Sequence, residues 1–196
     1  MDFSTAKQFI IRKLQTELPS NLPYHGIHHT LAVYEDTKEL ALAEGIASDD
    51  LELLLTAALF HDAGFTETYQ NHEQVGCEIA RNALPDFGYE AQAVQEICEM
   101  IMATKIPQSP TSHLARILCD ADLYYLGTSQ FYQVGQTLYQ EFLERGIVGN
   151  EQEWNRIQLN FLQSHHYFTQ TAKNRLSPQK ARYLTEIKKL VSGYAA

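Results

Sequence analysis

Between Leu51 and Phe60 the chain reads LELLLTAALF, and its only polar side chains, Glu52 and Thr56, stand four residues apart. On an α-helix that spacing puts both on one narrow line, so the rest of the circumference is apolar. Such a helix must be surrounded by other elements, because water against it would leave large apolar surface unburied. It is also too short to span a bilayer. The run ends on Phe60-His61-Asp62-Ala63-Gly64. An imidazole and a carboxylate at the end of a core helix are costly unless they are paired or bound to a metal. The pattern therefore predicts a central buried helix with a polar site at its C-terminal end.

What surrounds that helix also reads as helix. The period-two runs of Val, Ile, Thr and Tyr that mark strands are absent, and 3.6-residue periodicity dominates. Residues 4–18 form an amphipathic pattern with Phe9, Ile10 and Leu14 on one side, stopped by Pro19. A second helix is expected from about His25 to Glu44, ending at Gly45, with Ser48-Asp49-Asp50 capping the central one. Further helices are expected over 74–84, 90–104, 113–126, 130–145, 151–168 and 178–193. The breaks fall at Pro85 to Gly88, Pro107 to Pro110, Gly146 to Asn150 and Ser177-Pro178. With no internal repeat and no Ser/Gly-rich linker, residues 1–196 read as one all-α domain.

Composition excludes several function classes. The chain has 15 Lys and Arg against 24 Asp and Glu, a formal charge of −9. That balance repels phosphate backbones at long range, so no nucleic-acid polymer is expected as a partner. Cys77, Cys98 and Cys119 are widely spaced in apolar runs, which argues against a disulfide scaffold or thiolate zinc site. The stretch MDFSTAKQFIIRKLQ lacks the apolar core of a signal peptide. The expectation is a cytoplasmic protein with no membrane association, and the choice between monomer and homodimer stays open.

Two further segments carry chemistry. Tyr24-His25-Gly26-Ile27-His28-His29-Thr30 opens the second helix with three imidazoles, of which His25 and His29 are four apart and His28 points elsewhere. Ile117-Leu118-Cys119-Asp120-Ala121-Asp122-Leu123 places two carboxylates in an otherwise apolar helix. Imidazole nitrogens with carboxylate oxygens suit manganese, iron, cobalt, nickel or zinc better than a thiol-seeking metal.

Taken in order, YHGIHHT, AALFHDAG, Asn71-His72-Glu73 and LCDADLYYLG resemble the HD-domain superfamily of metal-dependent phosphohydrolases. The resemblance spans roughly Tyr24 to Gly127. The tail, with Glu153-Trp154 and Ala181-Arg182-Tyr183-Leu184, is similar to a bacterial branch of predicted HD phosphohydrolases. It implies a metal-binding helical core over 20–127 and C-terminal helices, 128–196, packed on it. The ligands carried over by position are His29, His61, Asp62 and Asp122, with His28 or His25 as alternatives to His29 and Asp120 as the alternative to Asp122. One divalent metal, from the set above or magnesium, is implied.

Binuclear branches of the family carry two more histidines before the last Asp. His72 matches the first, but Ile101-Met102-Ala103-Thr104-Lys105 has none where the second belongs, which weakens a di-iron oxygenase reading. The implied function is hydrolysis of a phosphate ester or anhydride of a small molecule, a nucleotide by resemblance. In that chemistry Asp62 or Glu73 orients the attacking water and His25 protonates the leaving group. His72 and Lys105 are the candidate substrate contacts, with Arg81 and Arg116 behind them. The rival class is a metal-dependent nucleotide sensor without turnover. His165-His166 reads as packing, and Lys180, Arg182, Lys188 and Lys189 as a solvated face.

Overall fold

The computed structural model describes residues 1–195 and is all-α, with no strand among the described residues. It divides into two compact units, Met1–Asp122 and the chain from Leu123 onward. The first unit holds α1 (Phe3–Glu17), α2 (Ile27–Ala43), α3 (Ser48–Phe60), α4 (His72–Ala83), α5 (Ala91–Ala103) and α6 (His113–Asp122). The second holds α7 (Phe131–Glu144), α8 (Glu151–Ser164) and α9 (Gln170–Ser192).

The apolar run is the axis of the first unit. Every residue from Leu53 to Phe60 is buried, and α3 packs against α1, α2, α4, α5 and α6. Each large side chain so enclosed contributes about 1.5–3 kcal/mol. The helix's polar line is accounted for: Thr56 Oγ1 donates to the Glu52 carbonyl at 2.7 Å and lies 2.9 Å from Tyr89 Oη. Asp2 starts α1 by accepting from the Thr5 N–H, and Leu18 turns extended before Pro19, as proline requires of its predecessor. Along α1 the buried stripe is Ala6, Ile10 and Leu14; Phe9 instead lies at the rim against the Phe87 ring.

Several boundaries differ from the sequence expectation. His25 precedes α2, whose N-cap is Gly26. Ser48 does not cap α3 with its side chain; it is the first helical residue, at φ +56°, behind the N-cap Ala47, while Asp49 and Asp50 occupy the first turn where negative charge is favourable. The helix expected over 113–126 ends at Asp122, and a short 3-10 helix follows at Tyr124–Gly127.

In the second unit, Leu123, Leu126, Phe131, Leu162, Tyr183 and Ile187 form the buried core, with the Phe131 and Tyr183 rings stacked at 4.3 Å. Asn150 caps α8 by accepting from the Glu153 N–H, and Glu153 accepts in turn from the Gly149 N–H. Pro178 does not begin α9; it sits inside a helix that Thr169 caps at its start. Both Pro178 and Asn174, whose carbonyl loses its donor, are exposed, so water can take the vacated bond. Lys180 leaves the solvated face: its Nζ donates to the carbonyls of Leu162 and His165, and burial lowers its pKa.

Candidate metal centre

Three helix segments converge at the C-terminal end of α3. His61 is the residue that closes that helix, and its Nδ1 lies 2.7 Å from the Ala58 carbonyl. Donation by Nδ1 to that carbonyl aims Nε2 away from the backbone and into the site, the arrangement of metal-binding histidines. His29, in the first turn of α2, brings Nε2 to 3.2 Å from Asp122 Oδ1 and 3.4 Å from Asp62 Oδ2. His61 Nε2 stands 3.2 Å from Asp62 Oδ2 and 3.6 Å from Asp122 Oδ1. One ligand atom from each of His29, His61 and Asp122 lies within 4.8 Å of the others, so the three could hold a metal ion.

The alternatives that the sequence left open stand in different surroundings. His29 is buried, whereas His28 is exposed and His25 stands before the helix. Asp120 is completely buried, and the imidazole contacts go to Asp122 at the end of α6.

The donor set also shows a defect that an ion would repair. His61 Nε2 and Asp62 Oδ2 are buried, and despite their 3.2 Å separation neither has a hydrogen bond of acceptable geometry. Orphaned buried polar atoms are costly. A divalent cation between two imidazole nitrogens and carboxylate oxygens would satisfy both, so the residues fit the metal. The electrostatics agree. Burial alone disfavours the His61 imidazolium, but the Asp62 and Asp122 carboxylates outweigh it and raise its pKa well above the usual value. Burial pushes the Asp62 and Asp122 carboxyls up; the facing imidazoles win and hold both well below the ordinary carboxylate range. The site is built to keep carboxylate charge in a buried place.

Around this cluster stand the other residues singled out by sequence. His72 Nε2 lies 3.5 Å from Asp62 Oδ1 and 3.5 Å from Glu73 Oε1, at the start of α4, and Glu73 is buried. His25 is 6.1 Å from His72 between ring centroids. The residue that sequence reasoning missed is Phe65, whose ring stacks on His25 at 4.2 Å and on His72 at 3.9 Å. Its place three residues after Asp62 was the available signal. Lys105 is exposed, with Nζ donating at 2.9 Å to Asn71 Oδ1, one residue before His72. Arg81 and Arg116 are exposed.

The close fit of α4 depends on Gly64. A Cβ there would lie 2.0 Å from the His72 carbonyl oxygen, so only glycine lets the chain after Asp62 approach the helix start.

The HD domain model matches residues 26–125, 100 of the 196 residues, so the chain belongs to the HD domain family. Among solved structures, a predicted HD superfamily hydrolase from an uncultured Thermotogales bacterium is similar at TM-score 0.63 and 22% identity, over 95% of this chain and 92% of that one. A Lactobacillus plantarum protein is similar at TM-score 0.69 and 16% identity, over 99% of this chain and 97% of that one. At these identities the two structures bear on the fold. No curated protein matches the chain. Family membership and the His29, His61 and Asp122 cluster together support a metal-dependent hydrolase. No helix among the described residues is long and apolar enough to cross a membrane.

Proposed function

We propose that the protein hydrolyses a phosphate ester or anhydride of a small molecule, with a nucleotide as the substrate class, using one divalent metal held by His29, His61, Asp62 and Asp122. The observation that carries the reading is the orphaned pair, His61 Nε2 and Asp62 Oδ2, buried beside His29 and Asp122. When bound there, a divalent ion supplies Lewis acidity toward a phosphoryl oxygen and acidifies water. The protein's own groups do the rest. The Ala58 carbonyl and the acidic neighbours orient the His61 ring. Asp62 Oδ1, turned toward His72, and the buried Glu73 carboxylate accept from a water and aim it at phosphorus. His25, held against the Phe65 ring, gives its proton to the departing oxygen. Lys105 exchanges Asn71 for a phosphate oxygen as a point charge, and His72 contacts the same group.

The test is metal content and phosphate release measured together. About one ion per chain and metal-dependent release from nucleotides or simple phosphate esters are expected, both lost in His61→Ala. Wild-type metal content in that variant would remove the site assignment. Bound metal without release from any ester or anhydride would replace hydrolysis by nucleotide sensing.

A further inference from the structure

The segment between α5 and α6 sends one side chain to the back of the metal cluster. Gln108 Nε2 lies 3.1 Å from the Cys119 carbonyl oxygen and 3.4 Å from Asp122 Oδ2. Both neighbours are acceptors only, so the amide must turn its NH2 toward them; the flipped amide would set oxygen against oxygen. The two oxygens of Asp122 are thereby divided. Oδ1 faces the His29 and His61 nitrogens, and Oδ2 is taken by Gln108.

This division matters because the terminal torsion of an aspartate is broad and close to two-fold. Held from one side only, the carboxylate could swing to present both oxygens to an ion. Gln108 itself is placed at a cost, since its Oε1 is buried without a hydrogen-bond partner. An apolar side chain of the same length would avoid that cost, so packing alone does not account for an amide here. The same segment is anchored at its start, where Lys105 donates to Asn71.

We propose that Gln108 is a positioning residue that fixes Asp122 as a one-oxygen ligand. The inference rests on the reading of His29, His61 and Asp122 as metal donors. It extends that reading to a residue that touches neither the ion nor the substrate.

The test uses the full chain, stripped of metal and titrated with Co2+, and compares wild type with Gln108→Met, which keeps the length and removes the donor. Three quantities are read: Co2+ affinity by calorimetry, the visible Co2+ spectrum, and the melting temperature of the metal-free protein. A positioning role predicts an affinity about 10- to 100-fold weaker, a changed spectrum as Asp122 turns, and a metal-free melting temperature close to that of wild type. Wild-type affinity and an unchanged spectrum would overturn it. So would an affinity loss that merely follows a collapse of the metal-free melting temperature. Gln108→Asn, which withdraws the amide by one methylene, carries the same expectations and is read in its place should the Met variant not fold. His61→Ala separates the two levels: if it takes up Co2+ as wild type does, the metal reading falls and the role of Gln108 with it.

Discussion

Gly64→Ala isolates the backbone contact that seats α4 on the metal centre. The added methyl would lie 2.0 Å from the His72 carbonyl oxygen, 2.7 Å from its carbon and 2.8 Å from its Cα, whereas ordinary contact begins at 3.4 Å. The chain must open by more than an ångström, and the obstacle is backbone, which has no rotamer to escape into. Retreat of α4 is itself costly, because it would part Gly76 on the same helix from the carbonyls of Phe60 and His61, now 3.1 and 3.4 Å from its would-be Cβ. Overpacking of this kind costs about 1–3 kcal/mol, and a clash with backbone belongs at the upper end. For a chain of this size each kcal/mol moves the melting temperature by about 2–4 °C. Thermal unfolding followed by circular dichroism in chelator should therefore show a drop of about 5–10 °C. The control is Gly193→Ala, where φ is −74° and nothing lies within 4 Å of the new methyl. A Gly64→Ala protein that melts as the control does would refute the contact and the placement of α4 built on it.

Asp36 is pushed up to about 7, by burial first and then by Glu39 and Glu35. Its folded form holds a proton that the unfolded chain releases above the ordinary value of 3.8, so stability is lost as pH climbs from there to about 7. Asp36→Asn should be more stable than wild type by about 1 kcal/mol at pH near 8, discounted for partial exposure, with the gap closing near pH 4; a gap independent of pH in urea titrations would contradict this. Gly135→Ala, inside α7, sets a methyl 3.9 Å from Trp154 Cζ2 and should raise the urea midpoint by the equivalent of about 0.5–1 kcal/mol. A lower midpoint would show that the site has no room. Because Asp62 and Asp122 raise the His61 pKa, a bound ion must expel that proton. Metal affinity should then rise with pH by up to about tenfold per unit, and calorimetry in buffers of different ionisation enthalpy would show proton release. Identical heats in all buffers would count against it.

How much of this was legible in sequence depended on whether the decisive property was local. The run LELLLTAALF announces a helix buried on every side, and His61-Asp62 at its end announces a polar site, because both follow from residues adjacent in the chain. The choice between His28 and His29 does not. Both fit the same turn, and what separates them is which face of α2 meets the other helices. Asp120 and Asp122 pose the same problem: two residues apart is about 200° around a helix, so one sequence admits either carboxylate and only packing selects. Pro178 misled in the other direction. A proline is costly inside a helix, yet here the carbonyl that it leaves without a donor lies on an exposed stretch, a fact invisible from the dipeptide Ser177-Pro178.

Gln108 marks where local reading stops. In sequence it is a polar residue between prolines, with nothing to distinguish it from a loop residue facing solvent. Its contact with Asp122 spans fourteen positions and exists only once α5 and α6 have packed. The asymmetry is physical. A buried charge advertises itself because the chain must surround it with something unusual, as α3 and α6 do with apolar runs. A neutral amide that orients such a charge from behind carries no such penalty in its flanking residues. Ligands held in apolar helices are therefore readable from one sequence, while the groups that aim those ligands have to be found by geometry.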